Sequence, residues 1–405
     1  MKIAQVTLRF DAPGGVETNV REVAGRLARM GESVRVYASD LYDEAAWVRR
    51  SGYPTVVDGV PVRRFPVFKR LLPGLTMPLM PGLVRDLEAD RPDVIHAHSH
   101  RYGHVLEAAA VAQSRSIPLV VSTHYHPADR GEPAWKRGLL RVQDVAFGMT
   151  AYRVARALIV ETELEARLVA EFAPSTTIRV IPPGIDLEAW TSEPARAPSS
   201  GLTEGYLLYA GRIASNKGLE FLLEAVARLP PSERPPLVLM GRDWGERGRL
   251  EADARRLGLG LSVRFLGHVA DPAEYRAVVR GARLFVLPSE WEAFGLVLLE
   301  AMAAKVPIVA TAVGGVPEVL DGGRAGRLVP YGDAEALASA IRDLVSDPAR
   351  RAQLTDAGAR RVSGLTWDRA AERHRALYRE LVDGVRSSSQ ISSASDRDAD
   401  RSGSR

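Results

Sequence analysis

Two series of short apolar runs, each run without helical period and most of them followed by a helical segment, constrain the fold more than any other feature of this chain. The first series lies at residues 2–8, 33–39, 93–97, 118–123, 157–161 and 178–182, and the second at 206–212, 236–241, 262–267, 283–288 and 306–311. Runs that are apolar at successive positions fit strands buried on both faces, and strand–helix alternation builds parallel sheets. Between the series, 191–203 (TSEPARAPSSGLT) is a Pro/Ser/Gly-rich connector. The expectation is α/β: two doubly wound, Rossmann-like domains at 1–188 and 205–365, joined by a linker at 189–204, with ligand held between them. A last helix is expected over 366–386. Residues 387–405 (SSSQISSASDRDADRSGSR) hold almost no apolar side chain and read as a disordered tail.

Composition excludes several classes. With 405 residues, 46% hydrophobic and 26% charged, the chain can bury two ordinary cores. A net charge of +4 is small for this length, and no basic patch interleaved with aromatic residues marks a nucleic-acid surface. Cysteine is absent, so there is no thiolate chemistry. Residues 2–6 read directly into a strand and no run of about eighteen apolar residues occurs, which predicts a soluble, cytoplasmic protein.

The densest chemistry lies at 281–320. Residues 283–289 (RLFVLPS) form a strand closed by Pro288, and 295–304 (GLVLLEAMAA) a helix apolar on nearly every side, with Glu300 its one ionisable residue. Ala293 and Phe294 offer no capping oxygen to the helix start, so the backbone donors near Gly295, Leu296 and Val297, with the dipole, make a seat for phosphate. Glu292 and Glu300 flank that seat, as carboxylates that could accept hydrogen bonds from sugar hydroxyls. On residue types alone, a buried helix whose Glu300 pairs with an Arg explains the stretch equally well.

The sequence 292–300 (EAFGLVLLE) resembles the E-x7-E signature of retaining glycosyltransferases of family 4, which have the GT-B fold, and 307–311 and 314–318 (GGVPE) resemble that family's next strand and turn. Related landmarks run from residue 2 to about 380. The turn 210–218 (AGRIASNKG) brackets Arg212 and Lys217 between glycines at a strand end, cations placed for a pyrophosphate leaving group, and is similar to the family's G-R-x-x-x-x-K-G. The resemblance implies that Glu300 holds a ribose and Glu292 a sugar hydroxyl, with Phe294, Gly295, Leu296 and Val297 also at the donor. In the loop 11–17 (DAPGGVE), Gly15 would face the donor phosphate; that loop lacks the dinucleotide fingerprint G-x-G-x-x-G. Loops at 241–243 and 265–269 would cover the base. Two positions depart from the pattern: Pro183 stands in place of an Asn, and Lys305 at a turn.

Six of the eight histidines fall between 96 and 126. A metal site is one reading of H-x-H on a strand, but no carboxylate spacing of a metal motif accompanies it, so core or loop histidines bonded to backbone are expected. By resemblance His124 contacts the transferred sugar. Basic residues at 63–72 and at 136, 137 and 141 mark candidate acceptor surfaces, the first also readable as an ordinary strand edge.

The implied activity is metal-independent transfer of a sugar from a nucleoside-diphosphate donor, UDP- or GDP-linked, to a hydroxyl on a lipid, glycan or small molecule. His124, Glu292, Arg212 and Lys217 are the implied catalytic groups, with no resident cofactor and, for a lipid acceptor, peripheral attachment to the inner membrane face. The alternatives are a sugar phosphorylase or nucleotide-sugar epimerase on the same fold, or a non-catalytic sugar-nucleotide scaffold.

Overall fold

The computed structural model describes residues 1–402 except 12–13, 45–46, 73–74, 128–132 and 192–197; of 69–77, 386 and 388–402 only the backbone is described. Contacts divide the chain into two units. The first comprises Met1–Glu161, Ala166–Ile181 and Trp367–Arg405, and the second Thr162–Glu165 and Pro182–Thr366. Part of the expected linker, 192–197, falls outside the described residues.

The first unit holds an eight-stranded sheet. Its order is Ile178–Val180, Ala157–Val160, Leu119–Ser122, Val94–His98, Lys2–Val6, Ser33–Ser39, Val60–Phe65 and Val56–Val57, parallel except for the last pair. That pair is a hairpin at Asp58-Gly59, both at positive φ (49° and 78°), the turn that a D-G pair favours. Val94, Ile95, Leu119, Val120, Val121 and Leu158 are wholly buried, as runs apolar on both faces require. Strand order reverses between Lys2–Val6 and Val94–His98, a switch point whose C-terminal ends carry the histidines.

The second unit has a six-stranded, fully parallel sheet in the order Val263–Gly267, Leu237–Met240, Tyr206–Ala210, Ala282–Leu287, Ile308–Thr311, Arg327–Val329. Its switch point lies between Tyr206–Ala210 and Ala282–Leu287. The edge strand Arg327–Val329, three residues long, carries too short a pattern to be read from sequence. Helices Ala334–Ser346 and Pro348–Val362 start at Asp333 and Asp347, whose carboxylates accept from Ala336 and Arg350 N–H.

Two expectations need correction, at 63–72 and at the last helix. The stretch 63–72 is not a strand edge running into a loop but continues into an antiparallel hairpin, Phe68–Leu72 with Leu75–Leu79. Residues 131–156 hold the α-helix Ala134–Phe147, which widens into a π-turn at Gly148–Tyr152; a Cβ on Gly148 would lie 2.2 Å from the Phe172 carbonyl oxygen. The last helix runs from Trp367 to Ser402 rather than ending at 386, so the expected tail is helical backbone through 402, because extending an existing helix costs far less than nucleating one. Its first turns lie on the first unit: Asp368 accepts from Arg26 at 2.9 Å and Arg375 donates to Glu32 at 2.6 Å.

Candidate functional site

In the second unit, the loops leaving the two switch-point strands meet. Gly218 has φ 61°, and a Cβ there would lie 2.1 Å from the Pro288 carbonyl oxygen, so only glycine lets the loop 211–218 lie against the end of Ala282–Leu287. Gly314 plays the matching part for the neighbouring strand end: φ is 52° and a Cβ would sit 1.9 Å from the Glu292 carbonyl oxygen. The Gly315 N–H donates to that same oxygen at 2.9 Å.

These approaches bring Lys217 to Glu292. The ammonium donates to Glu292 Oε1 at 2.7 Å, and Ser289 Oγ donates to the same oxygen at 2.7 Å. Burial would raise the Glu292 pKa, yet Lys217, the Ser289 hydroxyl and the charge of Arg212 together hold it below the ordinary carboxylate value. Arg212 is exposed, with its guanidinium 4.6 Å from the centre of the Trp244 ring. The lysine expected to meet a phosphate directly is therefore ion-paired, and Arg212 is the more accessible cation.

Beyond Glu292, Gly295 (φ 87°) opens the helix Leu296–Ala303 with no side-chain cap. Leu296 and Val297 are half-buried, whereas the Phe294 side chain is only 4% exposed and belongs to the core, so any ligand contact at 294 falls to the backbone. Among the described residues no arginine pairs with Glu300. Its Oε2 accepts from Tyr275 Oη at 2.5 Å, and burial raises its pKa to about 7 despite that bond.

The first unit places His124 in the left-handed region (φ 43°), just past Leu119–Ser122, where a non-glycine residue is strained. Its ring belongs to a buried relay. Nδ1 lies 3.0 Å from Glu161 Oε1 and Nε2 3.4 Å from His98 Nδ1, while His98 Nε2 lies 2.7 Å from Gln5 Oε1. Gln5 Nε2 donates to Tyr378 Oη at 3.2 Å, which is 2.5 Å from His96 Nδ1, and His96 Nε2 is 2.8 Å from Ser122 Oγ. Burial depresses His96 and His98 well below the usual histidine value, so both are neutral. His98 must then donate through Nε2 to the Gln5 carbonyl oxygen and accept at Nδ1. His124, facing the Glu161 carboxylate, donates to it through Nδ1.

Two further histidines of the first unit are held in its core. His100 bridges Tyr152 and Asp144, and His104 Nε2 meets the His98 carbonyl oxygen at 2.8 Å. Among the described residues no group of three His, Asp or Glu side chains is arranged to hold a metal ion. At Gly15 the helix Gly15–Arg29 begins, and the Glu17 carboxylate folds back over Gly14 while pairing with Arg9 at 2.7 Å.

Lys217, Arg212 and Glu292 are thus gathered at one switch point, with Glu300 on the adjacent helix; His124 and Gly15 belong to the first unit. Sequence reasoning missed Trp244, Tyr275, Ser289, Glu161 and Tyr378. Only Trp244 carried a signal, as an aromatic residue in a strand-end loop.

Residues 194–361 match the family model for glycosyl transferases group 1, and 13–189 that for Glycosyltransferase Family 4. D-inositol 3-phosphate glycosyltransferase 1 of Catenulispora acidiphila is 33% identical, over 92% of each chain. The sucrose-phosphate synthase of Thermosynechococcus elongatus has the same GT-B fold (TM-score 0.72, 25% identity, 94% of this chain and 99% of that one). So does Anabaena HepE, solved with UDP and glucose (TM-score 0.75, 21% identity, 94% and 100%).

Proposed function

The chain belongs to the family 4 (group 1) glycosyltransferases of GT-B fold, and on that premise we propose that it transfers a sugar, with retention, from a nucleoside diphosphate to an acceptor hydroxyl on a lipid, glycan or small molecule. The observation that carries this reading is the grouping of Lys217, Glu292 and Arg212 beside an uncapped helix start at a switch point. A diphosphate there would meet the Arg212 guanidinium, the backbone donors at 295–297 and, by competing with Glu292, the Lys217 ammonium.

These cations stabilise the leaving phosphate without a divalent metal or a resident cofactor. The bond from the anomeric carbon to the phosphate oxygen breaks while the acceptor oxygen bonds to the same face of that carbon. The acceptor's proton passes to the departing phosphate. Glu292 holds a sugar hydroxyl, Glu300 the ribose, and His124, of the first unit, contacts the transferred sugar, while Gly15 lets the phosphate approach the backbone. UDP- and GDP-linked sugars are the donors to try, and an inositol phosphate is the first acceptor, since that is what the 33%-identical relative is named for. The enzyme works in the cytoplasm, attached peripherally to the membrane when the acceptor is a lipid.

A thermal-shift panel of UDP, GDP, ADP and CMP with their sugar conjugates, with and without magnesium, tests the donor site. Saturation at about a hundred times Kd adds about 2.7 kcal/mol of stability. A magnesium-independent shift lost in Arg212→Ala is expected; no shift with any nucleotide rejects the reading.

A further inference from the structure

Four of the ten large apolar side chains that the described residues leave exposed fall between 135 and 149: Trp135 and Val142 at 66%, Met149 at 65% and Val145 at 41%. Their spacing of seven, three and four places them along one side of the helix Ala134–Phe147 and its π-turn, about 21 Å of outward apolar stripe. The opposite side is the one that packs, through Asp144, Phe147, Ala151 and Tyr152. A stripe that ordinary folding would bury is therefore turned to solvent.

Its charges are of one sign. Residues 134–156 contain Lys136, Arg137, Arg141, Arg153 and Arg156 against a single acid, Asp144, which is buried and held by His100 and Arg101. Among the described residues, Glu171 reaches this surface from a neighbouring element and pairs with Arg141 at 2.7 Å. A second copy of the chain docking by this same face would set like charges against each other, which disfavours self-association. An anionic bilayer offers both the apolar interior and the opposite charge. Beside Met149 a groove of about 810 Å³ opens, lined among others by Leu106, Ile117 and Val154 and bordered by Arg153 and Arg156. It lies at the N-terminal ends of Leu119–Ser122 and Ala157–Val160, the end of the sheet away from His124.

We infer that the outward face of residues 135–153 is the surface by which this protein docks on an anionic membrane, with Trp135, Val142 and Met149 entering the headgroup region and the flanking arginines meeting lipid phosphates. The inference deepens the peripheral attachment proposed above by giving it a place on the molecule.

Co-sedimentation of the full chain with vesicles of phosphatidylcholine alone, or mixed with phosphatidylglycerol, tests it. Binding to the mixed vesicles, weakened by salt, is expected. Trp135→Ser with Met149→Ser should abolish it, and Arg137→Glu with Arg153→Glu, which leaves the apolar stripe intact, should weaken it by more than about fivefold per charge altered. No binding to the mixed vesicles, or binding that both variants retain, overturns the inference. So does a concentration-dependent dimer that Trp135→Ser disperses, which would give the face to a second copy. Nucleotide-induced thermal shifts, read on the same preparations, report the transferase reading separately.

Discussion

Lys217 donates to Glu292 Oε1 at 2.7 Å across the switch point of the second sheet, and Ser289 donates to the same oxygen. The cation expected at the leaving group and the carboxylate expected at the sugar are thus one pair before any ligand binds. Each fixes the other's rotamer, and a diphosphate must draw Lys217 partly away from Glu292.

Removing either partner should therefore affect stability and turnover differently. Lys217→Ala leaves the Glu292 charge without its main partner, at a cost of about 3–5 kcal/mol when such a pair is buried, less here because the pair keeps some solvent contact. Lys217→Ala combined with Glu292→Gln should recover most of that stability in urea unfolding. Turnover should stay about 100- to 1000-fold down in both, the usual loss when a charge-stabilising donor is removed. If the double variant regained turnover, the pair would be structural only.

Glu300 predicts a pH dependence. Its folded pKa, about 7, lies above the ordinary value of 4.5 because burial disfavours the charged form. A raised group stabilises the fold fully below its unfolded pKa, and that contribution is lost as pH rises through the folded pKa. From pH 4.5 to 7 the wild type should thus lose stability relative to Glu300→Gln, with a constant difference above that window. Ribose hydroxyls donating to the carboxylate would favour ionisation, so nucleotide binding at pH 7 should release protons, measurable calorimetrically in buffers of different ionisation enthalpy. Absence of both effects would remove Glu300 from the nucleotide site.

The legible parts of this chain were those set by local pattern. The buried strands announced themselves as apolar runs, the loop ending at Gly218 as a glycine-bracketed turn at a strand end, and Gly295 as the start of a helix without a capping side chain. Long-range partners were not legible. Nothing near Glu300 in sequence points to Tyr275, twenty-five residues away, and nothing near His124 points to Tyr378 on the final helix. The hairpin Phe68–Leu72 with Leu75–Leu79 was obscured because its basic and apolar residues do not alternate regularly. The extent of the last helix was missed because composition reports the lack of a core, not the backbone state of a segment continuing an existing helix.

Trp244 should matter to nucleotide affinity through Arg212, whose guanidinium it covers at 4.6 Å. Trp244→Ala removes a contact worth about 0.5–1 kcal/mol at an exposed site, and frees the arginine's rotamers. The expected result is a two- to fivefold weaker nucleotide Kd, with kcat unchanged. Trp244→Phe should restore most of the affinity. Equal loss in both variants would mean that the indole acts through something other than its face.

The relay ending at His124 gives the last prediction. Tyr378 accepts from Gln5 and faces His96, so it orients the Gln5 amide whose oxygen fixes His98 as the Nε2–H tautomer. Tyr378→Phe removes that anchor and lets the amide turn over. His98 would then no longer be confined to one tautomer, and its contact with His124 would be lost for part of the population. Imidazole nitrogen chemical shifts should show His98 as the Nε2–H tautomer in the wild type and as a mixture in Tyr378→Phe. Because Tyr378 reaches His124 through Gln5 and His98, its loss should lower kcat while leaving KM for the donor unchanged. Glu161→Gln, which removes the carboxylate 3.0 Å from His124 Nδ1, should do the same. An unchanged kcat in Tyr378→Phe, with His98 mixed, would make the relay a packing element and not a device for orienting His124.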